Sequence, residues 1–180
     1  MSQRSAPSPA RLLFSVIYRE EENFAKALRS ITDRVGEVAC TSEPFPFDRT
    51  EYYGKEMGAP LVRRFIVGKD PVSRDELATV KVWAETIENE LSVSGKRTVN
   101  IDPGHLTDEN VILATGKNYS HRIYLRDGVF ADLTLFFEKG EYRPLPWTYP
   151  DYASPAIRAF LGELRRGNRE ARKRSTKGDL

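Results

Sequence analysis

The sequence predicts an α+β domain. Three observations carry this: short β-rich runs alternate with long amphipathic segments, Gly and Pro mark most changes of period, and the composition is that of an ordinary globular protein. The chain has 180 residues, 39% hydrophobic and 30% charged, enough for one core without disulfides or a structural metal. Its 28 Lys and Arg against 26 Asp and Glu leave a net charge of +2, so no global field draws it to nucleic acid or an anionic membrane. The apolar segment 12–18 runs straight into Glu20, Glu21 and Glu22 and is too short for a secretory leader. No stretch approaches the ~18 apolar residues of a transmembrane helix. The single cysteine, Cys40, fits a reducing compartment and reads as a small core residue. A soluble, cytoplasmic protein is predicted.

Residues 1–10 are polar and Pro-rich and are expected to be a disordered tail, followed by a single domain over 11–165. Residues 12–18 read as a buried strand. Phe24, Leu28, Ile31 and Val35 then recur at helical spacing, with acids in the first turn and Gly36 at the C-terminal cap position. Residues 38–41 form a second strand, and the prolines of 42–48 impose a loop. Residues 61–67 alternate as a third strand with Arg63, Phe65 and Val67 on one face. Ser73 and Glu76 are spaced as a capping box before a helical stripe of Leu77, Val80, Ala84, Ile87 and Leu91. A fourth strand is expected at 97–101. This order of elements suits a ferredoxin-like split βαβ core with a mixed or antiparallel sheet.

Asp102-Pro103-Gly104 predicts a tight turn, and 107–114 a short helix. Asp127-Gly128 between 121–126 and 129–138 is a hairpin signal, since both turn positions favour positive φ. Residues 142–145 close a C-terminal meander, and a last helix starts near Ser154-Pro155. The basic stretch 166–180 has few apolar anchors and is expected to fray.

Five segments together resemble a known family: Ser42-Glu43-Pro44-Phe45-Pro46-Phe47-Asp48, Tyr52-Tyr53 through Glu56-Met57-Gly58, Asn100-Ile101-Asp102-Pro103-Gly104, Ser120-His121-Arg122-Ile123-Tyr124-Leu125, and Leu145-Pro146-Trp147-Thr148-Tyr149-Pro150-Asp151-Tyr152. The resemblance is to the bacterial family termed domain of unknown function 4416, and it spans about residues 11–165. It implies no mechanism. Members sometimes carry the label "GTP-binding protein", which these residues do not support: Gly116-Lys117-Asn118 lacks both the upstream glycine and the following hydroxyl of a phosphate loop. No dinucleotide-binding glycine pattern is present either. The resemblance further implies an aromatic residue at position 105, which would make His105 dispensable.

Three constellations could carry chemistry. With a two-residue turn at Asp127-Gly128, Ile123 faces Asp132 and His121 faces Thr134. His121 and Asp132 then share a sheet face as an oriented general base, or as a structural pair. Asp102 and His105 flank the expected turn and, with His121 and Glu43 or Asp48, have the donor chemistry of a metal site, although Asp102 could equally be turning the chain. No metal or other cofactor is assigned from the residues.

Lys117, Tyr119, Arg122 and the predicted helix start at Thr107 could hold a phosphate, helped by Arg63 and Arg64, while Trp147, Tyr149 and Tyr152 could stack on a base or sugar. The bland alternative is that these aromatics pack the C-terminal segment onto the core. The leading expectation is a binding domain for a phosphorylated or nucleotide-like ligand where the loop holding Asp48 and Tyr52 meets Asp102, Lys117–Arg122 and Trp147–Asp151–Tyr152. The alternatives are a phosphodiesterase-type hydrolase using His121, Asp132 and Asp102, and an interaction scaffold with Phe45, Phe47 and Tyr52 exposed. Nucleic acid is a weaker partner, reachable only through the basic C-terminal stretch.

Overall fold

A computed structural model describes residues 3–48 and 53–178, with side chains through Arg174. It is an α+β fold in which nine strands form one sheet whose pairs are all antiparallel. The central strand β1 (Ala10–Tyr18) is buried on both faces, which explains its unbroken apolar run. The strand order is β2 (Val38–Thr41), β4 (Val62–Val72), β1, β5 (Val99–Leu106), β6 (Asn110–Thr115), β8 (Val129–Glu138), β7 (Arg122–Arg126). The two-residue β3 (Phe45–Pro46) pairs with β4, and β9 (Glu141–Pro144) pairs with β8.

Two layers of helix cover the sheet. On one face, α1 (Glu21–Val35) and α3 (Leu77–Glu90) pack Phe24, Ile31, Trp83 and Ile87 against Phe14, Val16 and Ile101. On the other, α4 (Pro155–Gly178) sets Ile157 and Leu161 over Leu13, Phe65, Leu135 and Tyr142. The four-residue helix α2 (Gly54–Met57) puts Met57 beside Ile17 and Phe47. Among the described residues no helix is long and apolar enough to cross a membrane.

Several local expectations are corrected. The segment expected as a helix at 107–114 is strand β6, and Asp102-Pro103-Gly104 is not a turn but lies within β5. Thr107 closes the β5–β6 connection, its hydroxyl accepting from the Glu109 and Asn110 amides, so no helix N-terminus exists there. The Ser73 hydroxyl bonds to Asp75 rather than capping a helix, and residues 74–76 are a 3₁₀ turn before α3. Asp127 and Gly128 do take positive φ, but a bulge at Leu125 shifts the register, so Arg122 rather than Ile123 lies opposite Asp132. Helix α4 runs to Gly178. Phe47 is buried and Phe45 packs against Phe65 and Phe160, which leaves no exposed patch from those two; Tyr52 lies outside the described residues. Three adjacent exposed large apolar side chains instead lie on the edge strand β7, at Ile123, Tyr124 and Leu125.

Candidate functional site

The site begins with a fork in the sheet. β5 and β6 pair only through Gly104↔Leu113, His105↔Ile112 and Leu106↔Val111, and then diverge. Gly104 permits the close approach at the base of the fork, since a Cβ there would stand 2.6 Å from the Ile112 carbonyl oxygen. Above it the edge of β5 would be left without a partner strand, and α3 supplies one from side chains. The Ile101 amide donates to Glu88, and the Ile101 carbonyl accepts from Lys81 Nζ at 3.3 Å. Lys81, Glu85 and Glu88 follow helical spacing beside the apolar stripe, so one face of α3 becomes a bank of the fork.

A cavity of about 740 Å³ fills this fork, within the size range of small-molecule sites. On the β5 bank Arg97 is clamped by Glu56 (Nε to Oε1 2.9 Å, Nη2 to Oε2 2.7 Å), and these bonds raise its pKa above the ordinary arginine value. Arg97 also donates to Asn100 Oδ1 at 2.9 Å, and Asn100 donates to Asp102 Oδ2 at 2.8 Å. Lys81 lies 3.6 Å from Glu85 and 3.7 Å from Asp102. Burial pushes the Glu88 carboxyl up, with nearby Lys81 opposing. On the β8 bank Arg122 acts as a clasp: Nε donates to Asp132 Oδ2 at 2.9 Å, Nη1 to the Lys117 carbonyl at 2.9 Å and Nη2 to Tyr149 Oη at 2.8 Å.

The floor is Arg63, only 5% exposed. Its guanidinium carbon sits 5.0 Å from the Phe47 ring and 4.7 Å from the Tyr152 ring, and Nη2 is 2.9 Å from Asp151 Oδ2. Nε and Nη1 have no hydrogen-bond partner, while the Ser15 and Tyr152 hydroxyls on the same face interact with each other. Buried polar groups in native proteins are almost always satisfied, so two orphaned nitrogens at the floor of a cavity mark a place built for something else. Burial also pushes the Tyr152 phenol up, against the opposing pull of Arg63.

The predicted residues divide accordingly. Arg63, Asp102, Lys117, Arg122, Asp132, Tyr149, Asp151 and Tyr152 all line the cavity. Tyr119, His121 and Trp147 form a separate cluster that is not part of the lining. Trp147 stacks on His121 at 4.9 Å and 12°, Tyr119 lies 5.2 Å from the same ring, and Trp147 Nε1 donates to the Leu133 carbonyl at 2.8 Å. His121 Nε2 does approach Asp132 Oδ2, at 3.3 Å, but it shares that oxygen with Arg122. Asp48 is not among the lining residues, and Tyr52 lies outside the described ones. Arg64 points to the other face, bonded to Glu21 and the Ser42 carbonyl.

Asp102 and His105 are three residues apart on a strand and so face opposite sides, which separates the proposed ligand pair. His105 is buried, and desolvation pulls its pKa down to about 4. Among the described residues no three His, Cys, Asp or Glu are grouped to hold a metal ion. Sequence reasoning missed Lys81, Glu85, Glu88, Arg97 and Asn100. The available signal was a charged stripe at 81, 85 and 88 beside an apolar one on a helix otherwise assigned to the core.

No curated protein and no solved structure matches the chain significantly. One family profile does match, over residues 8–167. It covers the fork, its floor and the Trp147–Tyr152 segment, and on that span the chain belongs to the family described as domain of unknown function 4416.

Proposed function

We propose that the protein is a cytoplasmic binding domain for a small phosphorylated, nucleotide-like ligand that occupies the fork and is anchored at Arg63. The observation that carries this reading is the buried Arg63 guanidinium, within 5.0 Å of the Phe47 and Tyr152 ring centroids, with two N–H-bearing nitrogens unused at the cavity floor. A guanidinium presents a fork of donors that matches an oxyanion, and a low-dielectric floor strengthens the attraction. Tyr53 and Tyr149 in the lining offer ring surface for a base or sugar. The strand order β2-β4-β1-β5, with α1 and α3 crossing one face, supports a ferredoxin-like split βαβ core to which β6–β9 add the second bank.

A hydrolytic reading has one observation in its favour, the 3.3 Å approach of His121 to Asp132. The stacking of that imidazole under Trp147, outside the cavity lining, argues for a structural role instead. The test is a thermal-shift panel of inorganic phosphate, nucleotides and sugar phosphates. A ligand at one hundred times its Kd stabilises by about 2.7 kcal/mol, roughly 5–11 °C for a domain of this size. Stabilisation that disappears in Arg63→Gln is expected, and a panel in which no compound shifts the wild-type transition overturns the reading.

A further inference from the structure

We infer that the ligand carries one anionic group, seated on Arg63, and presents nitrogen donors to Glu88 and Asp102 on the opposite bank: an amino-bearing monophosphate rather than a polyphosphate. This rests on the cavity being a ligand site and goes on to assign its polarity.

Charge balance is the first argument. Among the described residues the lining holds five basic side chains (Arg63, Lys81, Arg97, Lys117, Arg122) and five acidic ones (Glu85, Glu88, Asp102, Asp132, Asp151). Four of the cations already face carboxylates within the protein: Arg97 faces Glu56, Lys81 faces Glu85 and Asp102, Arg122 faces Asp132, and Arg63 faces Asp151 through Nη2 alone. Arg63 is the cation whose Nε and Nη1 remain unused at the floor. A lining balanced in this way has no surplus positive charge to offset several phosphates, whereas one anionic group can be held by the unused Nε and Nη1 of Arg63.

Unused acceptors on the β5 bank are the second argument. Glu88 Oε1 takes the Ile101 amide, but Oε2 has Arg97 Nη1 at 3.7 Å, beyond hydrogen-bond length. Asp102 Oδ2 accepts from Asn100, while Oδ1 meets Lys81 at 3.7 Å. Both carboxylates therefore keep an oxygen for a donor arriving from the cavity. An ammonium or exocyclic amine there would also offset the burial that makes Glu88 reluctant to ionise.

The test uses the full chain and isothermal titration with matched probes: glucosamine 6-phosphate against glucose 6-phosphate, adenosine against inosine 5′-monophosphate, and adenosine monophosphate against the triphosphate with Mg²⁺. A hydrogen bond to a charged group corresponds to about tenfold in affinity or more. The amino member of at least one pair is expected to bind about tenfold tighter, and the triphosphate weaker than the monophosphate. Glu88→Gln should erase the amino preference while phosphate dependence survives, and Asp102→Asn reads the same preference if the first variant does not fold. Equal binding within both pairs, a tighter triphosphate, or an amino preference untouched in both variants overturns the inference while leaving the cavity a ligand site. Binding by none of the probes overturns both.

Discussion

Replacing Asp151 with Asn tests the floor of the cavity without touching its shape. Arg63 and Asp151 are 6% and 8% exposed at their side chains and 2.9 Å apart, so each charge is held out of water largely by the other. Asn retains the Oδ1 that accepts from the Tyr152 amide, now at 2.9 Å, but presents no charge to Nη2. Removing one partner of a buried pair costs about 3–5 kcal/mol. At roughly 2–4 °C per kcal/mol for a chain of this length, Tm should fall by about 6–20 °C. Urea unfolding followed by far-UV circular dichroism measures the loss. The pairing of Asp151→Asn with Arg63→Met should recover most of it, because an apolar replacement of both partners strands no charge. Saturating phosphate should restore part of the loss in the single variant by supplying the missing counter-charge. A loss under about 1 kcal/mol, the size expected of an exposed pair, would refute the idea of a dry floor and with it the strength assigned to Arg63.

Gly104→Ala should destabilise by about 1–3 kcal/mol, since the new methyl meets the Ile112 carbonyl oxygen and Leu113 Cδ2 at 2.6 and 2.8 Å where the backbones close the fork. An unchanged urea midpoint would mean the two strands part there freely. His105 gives a pH signature: its folded pKa of about 4 lies below the ordinary 6.5, so the unfolded chain takes up a proton first and stability is lost as pH falls from 6.5 towards 4. His105→Phe should remove that component, narrowing the stability difference between pH 7 and pH 4 relative to wild type; a gap between the two proteins that is constant across this range would contradict it.

The first half of the fold was legible because its signals are local. The unbroken apolar run of β1 and the heptad-like stripes of α1 and α3 each fix one element by period alone, and strand β4 showed one face in Arg63, Phe65 and Val67. The strand expected at 97–101 is the start of β5, but from 102 to 115 the reading failed. Pro103-Gly104 signals a turn by local rules, yet here the proline's missing N–H costs nothing and the glycine serves the crossing of β5 and β6. Once Asp102 was placed in a turn, its partners on β5 were lost with it.

The candidate site was half visible. Its floor and the β8 bank were reachable from Arg63, Arg122, Asp132 and the aromatic-rich segment at 147–152. The α3 bank was not, because Lys81 and Glu88 are each only 6% exposed, and charges at helical spacing ordinarily belong to a solvated face. The bulge at Leu125 had a further effect that no pattern reveals: it brought Arg122 opposite Asp132 and left His121 to stack beneath Trp147.

The fork also bears on how the molecule holds itself together. A continuous ladder of backbone hydrogen bonds makes a sheet behave as one plate, and here the ladder between β5 and β6 stops after three residue pairs. Above that seam mechanical continuity passes through α3, which touches β5, β6 and β8 and stitches the β5 edge with two side chains. A ligand bound in the fork as proposed would take the place of the absent rungs. Occupancy and stiffness would then become the same variable, with the halves on either side of the seam holding their mutual angle most tightly when the gap is filled.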